Sequence, residues 1–286
     1  MSFDPSPDTT AAARVAELVA LLRIERLEHN LFRGVSCDVG SPAVFGGQVL
    51  GQAVMAAANT VEGRALHSLH AYFLRPGRLD AEIRFEVERT RDGRRFSARR
   101  VVALQDERAI FHLAASFTRL SSGIAHADPA PDRPGPEGLL DWEDARAKLA
   151  DSARPRRAFE AFDVRVLEPE RDAPGARSAP SRTAWVRLRG IPPEDPLLCA
   201  ALLVYASDRT LLRAAARPHG VRWTDRPPAS LDHAMWLHAP VDLSDWLLYD
   251  SHSPAASAGR GLVLGSFYKR DGQRVASVAQ EGLIEA

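Results

Sequence analysis

Cysteine is nearly absent from this chain: Cys37 and Cys199 are the two it has, and they lie far apart in sequence. Two such residues build neither a disulfide framework nor a cysteine metal spacing, so a reducing compartment is expected. Excess charge of one sign is also lacking. Lys+Arg and Asp+Glu both number 37, for a formal net charge of +0. No global field draws nucleic acid or an anionic membrane, and neither is expected as a partner. No apolar run reaches the length of a membrane span, so stable membrane insertion is not expected. Met1 to Thr10 lacks the charged start and apolar run of a secretory leader, and Gly282 to Ala286 carries no Ser-Lys-Leu address. Cytoplasm is the expected location.

Motifs for several chemistries are missing as well. There is no Gly-x-Ser-x-Gly elbow, which argues against a serine α/β-hydrolase. Neither a phosphate-binding Gly-x-x-x-x-Gly-Lys-Ser/Thr loop nor a Gly-x-Gly-x-x-Gly dinucleotide fingerprint occurs, and none of the 9 histidines falls in a His-Glu-x-x-His spacing. The expectation is an activity without metal or organic cofactor.

What is present reads as a folded chain of mixed α and β elements. Apolar residues make up 45% and charged residues 26% of 286, a globular composition with length enough for a sizeable core. Asp8 or Thr9 is placed to cap a first helix, in which Val15, Leu18, Val19 and Leu22 recur at helical spacing. Leu27 to Gly34 reads as a short strand. Phe45-Gly46-Gly47-Gln48 opens a helix through Val61 that has almost no polar face, and such a helix is usually buried. Strands follow at Leu66 to Leu74, around Ile83 to Val87, at Phe96 to Leu104 and at Ala109 to Phe117, an antiparallel meander. The proline-rich run from His126 to Pro136 reads as a linker, and a helix is expected from Leu139 to Ala150.

The second half repeats the first. Phe162 to Leu167 and Thr183 to Leu188 read as strands, Leu197 to Ala216 as a second alanine- and leucine-rich helix, and Ser230 to Leu237, Trp246 to Asp250, Arg260 to Tyr268 and Val275 to Leu283 as a second meander. Short fragments match in order: Phe32-Arg33-Gly34 with Leu188-Arg189-Gly190, Ser68-Leu69 with Ser230-Leu231, Arg75-Pro76 with Ala239-Pro240, Ala114-Ala115-Ser116 with Val278-Ala279-Gln280. Their offsets run from 156 to 164 residues, which points to duplicated units at 1-122 and 158-286 with a linker and short helix at 123-157. Two sheets, each curled on a greasy helix, can pair edge to edge and hide otherwise sticky edges.

These stretches together resemble the acyl-CoA thioesterase II family of bacteria and peroxisomes. The resemblance rests on Phe45 to Ala53, His67 to Gly77, Arg91-Asp92-Gly93 with Phe96 to Arg100, Tyr205-Ala206-Ser207-Asp208, Pro218-His219-Gly220, Ser230 to Trp236, Trp246 to Tyr249 and Gln280-Glu281-Gly282. It implies a double hotdog fold, α+β, in which each of two tandem units wraps an antiparallel sheet around a central helix. It further implies hydrolysis of fatty acyl-CoA to fatty acid and CoA, with acyl-CoA as the partner molecule and further association into a homo-oligomer. The family's site of an Asp, a hydroxyl residue and a Gln falls on Asp208, Ser230 and Gln280. Ser230 departs from the bacterial pattern, which has Thr there. The hydroxyl is kept, and the lost methyl loosens the rotamer.

Thioester hydrolysis needs a water made nucleophilic and a place for negative charge on the carbonyl oxygen. Asp208 is a carboxylate that can accept the water's proton, and Ser230 and Gln280 can donate and accept hydrogen bonds that aim it. The start of the helix at Gly46-Gly47 and the Asp208 region are both candidates for the oxyanion. The rival pair Asp232-His233 sits on a strand, where adjacent side chains face opposite sides. His67 and His70 are expected to close core hydrogen bonds. Arg99 and Arg100, with Arg94 and Arg95, read as a solvated face, with contact to CoA phosphates as the alternative. Two other functions stay open at this point. One is a hotdog hydratase or dehydratase of enoyl thioesters, whose Asp-x-Asn-Pro-x-x-x-His pattern is missing here. The other is a non-catalytic acyl-CoA binder.

Overall fold

Burial alternates along most strands of the chain, described here by a computed structural model that covers residues 11–142, 144–145, 161–173, 175–221 and 229–284. In the first half α1 (Ala11–Leu22) precedes a hairpin of β1 (Glu25–Glu28) and β2 (Leu31–Gly34). Then come α2 (Gly46–Ala58), β3 (Ala65–Phe73), β4 (Ile83–Asp92), β5 (Phe96–Gln105) and β6 (Arg108–Thr118). The second half holds β7 (Phe162–Val166), β8 (Ser181–Leu188), α3 (Pro196–Ser207), α4 (Arg213–Ala216), β9 (Ala229–Ser230), β10 (Asp232–Leu237), β11 (Leu247–Ser257), β12 (Arg260–Lys269) and β13 (Arg274–Leu283). The expected cap at Asp8 or Thr9 and half of the helix expected from Leu139 to Ala150 lie outside the described residues, and Leu139 to Asp141 are not helical.

All strand pairs are antiparallel, in the order β1-β2-β4-β5-β6-β3-β10-β13-β12-β11-β8-β7, with β9 paired to β13. The joint between the halves is β3 against β10, with His70 opposite Ala234. Two sheet edges are thereby buried in each other. The registers fix how the halves correspond. Val87 faces Val101 in the first, and Ser251 faces Gly265 in the second, an offset of 164. The Arg75-Pro76 fragment agrees with that offset, but the other three slip, the Ala114 fragment by one residue, because Ala115, opposite Arg99, answers Gln280, opposite Val263. Phe32 pairs with Phe85, and Tyr249, 164 residues after Phe85, pairs with Ala184, so Phe32 answers Ala184 and not Leu188. Ser230 answers Leu66. The offset is not constant along the chain: it is 150 at the starts of α2 and α3 and grows across the longer connection after α3.

The two central helices pack on each other inside the sheets. Every residue of α2 after Gly46 is buried, as is α3 from Leu198 onward. Small residues set the approach: a Cβ on Gly47 would lie 2.5 Å from the Tyr205 carbonyl oxygen. No helix among the described residues is long and apolar enough to cross a membrane.

The single strand expected from Leu27 to Gly34 is instead the β1–β2 hairpin, turning at His29-Asn30, and two further local expectations change. The helix predicted to run from Leu197 through Ala216 stops at Ser207, with Asp208 as its C-cap. The Ser207 hydroxyl lies 2.8 Å from the Val204 carbonyl, and the Tyr249 hydroxyl donates to the Ser207 carbonyl at 3.0 Å. The Tyr249 hydroxyl thereby satisfies a carbonyl that another helical turn would otherwise take up. Arg99 is the second change. Strand alternation turns it inward, 2% exposed, while its neighbour Arg100 faces out beside Glu88. The Arg99 guanidinium donates to Thr60 Oγ1 at 2.7 Å, to the Thr60 carbonyl at 3.0 Å and to Asp92 Oδ1 at 2.7 Å. It is a structural cation with its donors in use, not part of a solvated face.

Candidate active site

The break at Asp208 frees its side chain to leave the helix line. A second break helps it: between β9 and β10, the Leu231 N–H donates to the Glu281 carbonyl and the Leu231 carbonyl accepts from Phe73 N–H, both at 2.9 Å. Ser230 then pairs beside Gly282, next to Gln280 on β13. The three side chains named from sequence meet. Gln280 Nε2 donates to Asp208 Oδ1 at 2.6 Å and to Ser230 Oγ at 2.7 Å, and Ser230 Oγ donates to Asp208 Oδ1 at 3.3 Å. Gln280 is fully buried, while Asp208 and Ser230 are partly open.

Both neighbours bind Oδ1, so the two carboxylate oxygens differ. Oδ2 has no hydrogen-bond partner among the described residues and lies against the start of α2, 2.7 Å from where Gly46 would carry a Cβ. That helix start is unusually bare. Phe45 offers no side-chain cap, the Gln48 and Val49 amides already bond the Phe45 carbonyl, and the Gly46 and Gly47 amides have no acceptor among the described residues. The matching end of α3 is closed, with Pro196 at its first turn and Asp195 accepting from Leu197 N–H at 2.9 Å. A free helix N-terminus stabilises negative charge. The first unit has no matching polar group at two of the three positions: Ala115 answers Gln280 and Leu66 answers Ser230.

Sequence reasoning missed the groups packed behind this trio. His233 is fully buried, its Nε2 2.9 Å from Ser207 Oγ. Burial pushes the imidazole's proton affinity down, against an opposing pull from Asp208 and Gln280. Tyr249, which caps α3 through its hydroxyl, is pushed up by burial and then by the nearby Asp208 charge. The rival pair comes apart as strand geometry requires: Asp232 accepts from the Glu281 amide at 2.6 Å while His233 turns inward. His67 bonds Ser116 Oγ at 2.8 Å, whereas His70 is exposed and packs edge-on against Trp236. The signal for His233 was its strand parity with Gln280. Reading it needed the β10–β13 register, which no local pattern supplies. No group of three or more His, Cys, Asp or Glu among the described residues is placed to hold a metal.

Two family models cover most of the chain: acyl-CoA thioesterase over residues 154–283, and acyl-CoA thioesterase N-terminal domain over residues 35–118. The acyl-CoA thioesterase 2 of Haemophilus influenzae is 37% identical over 93% of this chain and 96% of its own length. This chain belongs to the acyl-CoA thioesterase II family. Among solved structures, the family's TesB2 from Mycobacterium marinum is 39% identical, with a TM-score of 0.78 over 94% of this chain and 98% of that one. A hot dog fold protein from Alicyclobacillus acidocaldarius shares 17% identity and a TM-score of 0.77 over 94% of this chain and 98% of its own. That likeness concerns the fold alone. The chain is a double hotdog, its two units continuous through β3 and β10.

Proposed function

We propose that this protein hydrolyses fatty acyl-CoA to fatty acid and CoA, with Asp208, Ser230 and Gln280 as its catalytic group. The observation that carries the residue assignment is the convergence of the three side chains on one carboxylate oxygen, Asp208 Oδ1. With Oδ1 held, Oδ2 is the atom that accepts a proton from water. The water oxygen attacks the thioester carbonyl carbon as that proton moves to Oδ2. Negative charge on the carbonyl oxygen falls to the Gly46 and Gly47 amides and the α2 dipole. The C–S bond then breaks, the sulfur leaves with the proton, and a carboxylic acid remains.

The units are taken as 1-122 and 158-286 with the linker between them, the protein as a cytoplasmic homo-oligomer of lipid metabolism, and the second unit as the one that carries the catalysis. The test is thiol release across a series of acyl-CoA chain lengths, with wild type and Asp208→Asn. Removing the general base lowers kcat roughly 10²- to 10⁴-fold, with the circular dichroism spectrum unchanged. Near-normal turnover by Asp208→Asn would remove the assignment. Hydration of crotonyl-CoA without thiol release, or tight acyl-CoA binding without turnover, would replace the activity.

A further inference from the structure

Two buried polar atoms behind the trio lack partners. His233 Nδ1 and Gln280 Oε1 each have no hydrogen bond among the described residues. Both residues are fully buried. They belong to adjacent strands whose register places Ala234 opposite Ala279, so the next pair along is His233 with Gln280. Directly opposed side chains lie on the same face of the sheet. Gln280 is close enough to the ring to raise its proton affinity, although burial lowers it more.

Charge decides which end of the Gln280 amide faces which neighbour. A general-base carboxylate is ionised, so the amide must present its NH₂ to Asp208 and cannot present its oxygen. The two amide hydrogens are then spent on Asp208 Oδ1 and Ser230 Oγ. Oε1 is left pointing away and needs a donor. A neutral imidazole has one N–H, and its position is set by the partner of the other nitrogen. If Nε2 carried the hydrogen, Nδ1 and Oε1 would both be buried acceptors with no donor, an arrangement buried polar groups avoid. If Nδ1 carries it, Oε1 has a donor beside it, and Nε2 takes the single hydrogen of the Ser207 hydroxyl 2.9 Å away in place of the Val204 carbonyl, which lies 2.8 Å from the same oxygen. Ser207 is the last helical residue before Asp208, so the same hydroxyl ties the helix end to the ring.

We propose that His233 is a positioning residue for thioester hydrolysis: as the neutral Nδ1–H tautomer it donates to Gln280 Oε1 and holds the amide with Nε2 toward Asp208 and Ser230. The inference rests on the catalytic reading of Gln280 given above. His233 itself touches neither water nor thioester in this scheme. Its effect is to stop the amide from rotating and presenting an oxygen to the catalytic carboxylate.

Tautomer and turnover test this separately. In full-length protein labelled with ¹⁵N-histidine, the His233 resonances should show Nδ1 protonated and Nε2 bare at neutral pH, and Gln280→Leu should shift Nδ1. A protonated Nε2 with bare Nδ1 overturns the proposal whatever the kinetics. In thiol-release assays, His233→Asn keeps a donor near the Nδ1 position, whereas His233→Gln places its amide near Nε2. Turnover in His233→Asn should stay near wild type, while His233→Gln loses on the order of tenfold in kcat with little change in KM, the size of one lost hydrogen bond. The double variant His233→Gln with Gln280→Ala should be no slower than Gln280→Ala alone. Equal losses in the two His233 variants, tracking thermal stability, would mean a packing role and overturn the proposal. If Gln280→Ala retains full turnover, the catalytic reading of Gln280 fails, and the NMR result still reports whether the two side chains are bonded.

Discussion

Gly46 and Asp208 are in such close approach that one added carbon on Gly46 would stand 2.7 Å from Asp208 Oδ2. The same carbon would touch the Phe73 ring at 3.0 Å. Its neighbour Gly47 differs in what it meets: a Cβ there would lie 2.5 Å from a backbone atom, the Tyr205 carbonyl oxygen. A carboxylate can swing aside, but a buried helix backbone cannot. The two substitutions therefore separate activity from stability. Gly46→Ala should leave the urea midpoint near wild type and lower kcat by up to about 100-fold through a displaced base. Gly47→Ala should lower stability by roughly 1–3 kcal/mol through overpacking of the two helices. If Gly46→Ala turned over normally, Oδ2 would not be the proton acceptor.

Much of this architecture was legible because the residues that set it act locally. The two helices without polar faces and the alternating strands after each gave away the sheet-on-helix unit, and repeated fragments gave away its duplication. The exact correspondence was not legible. Three-residue fragments can slide, and Phe32 slid by four positions because a chance Arg-Gly match at Arg189-Gly190 lies just past its true counterpart, Ala184. Asp208, Ser230 and Gln280 entered through family resemblance, and their approach to one another depends on two breaks, at Ser207 and at Leu231, which propensity did not mark. Arg99 was misread because adjacent arginines suggest a charged face, whereas strand parity sends one of any two neighbours inward.

That buried arginine yields a stability prediction away from the site. Arg99 Nε donates to Thr60 Oγ1, and Thr60 in turn donates to the Ala57 carbonyl at 2.7 Å, at the end of α2. Thr60→Val keeps the shape and removes the acceptor. A buried N–H on a cation then has no partner, and unfolding free energy should fall by about 1–3 kcal/mol. Urea denaturation measures it. The thiol-release rate below the transition should be unchanged, because Arg99 sits in the first unit, opposite Ala115 and not Gln280. A loss of rate without a loss of stability would contradict the structural role given to this network.

Acid should weaken the fold through its buried His233, with smaller help from half-buried His67 and exposed His238, before it reaches the carboxylates. His67, His233 and His238 are each pushed below the ordinary histidine value by burial, most completely for His233. The unfolded chain takes up their protons as pH falls through about 6.5, while the folded chain resists until lower pH. Their contribution to stability is therefore complete above that value and declines as pH drops below it. The urea midpoint should be lower at pH 5.5 than at pH 7.5, two conditions chosen to lie above the ordinary carboxylate range of about 4. In His233→Asn the difference between the two midpoints should shrink, whatever the variant does to the midpoint at pH 7.5. The carboxylates held down by partners, Asp92 by the Arg99 guanidinium and Asp242 by the Ser244 hydroxyl, act in the same direction only at lower pH. A midpoint difference of equal size in wild type and His233→Asn would show that the His233 ring takes up its proton as readily folded as unfolded, and would contradict its placement as a buried neutral group behind Gln280.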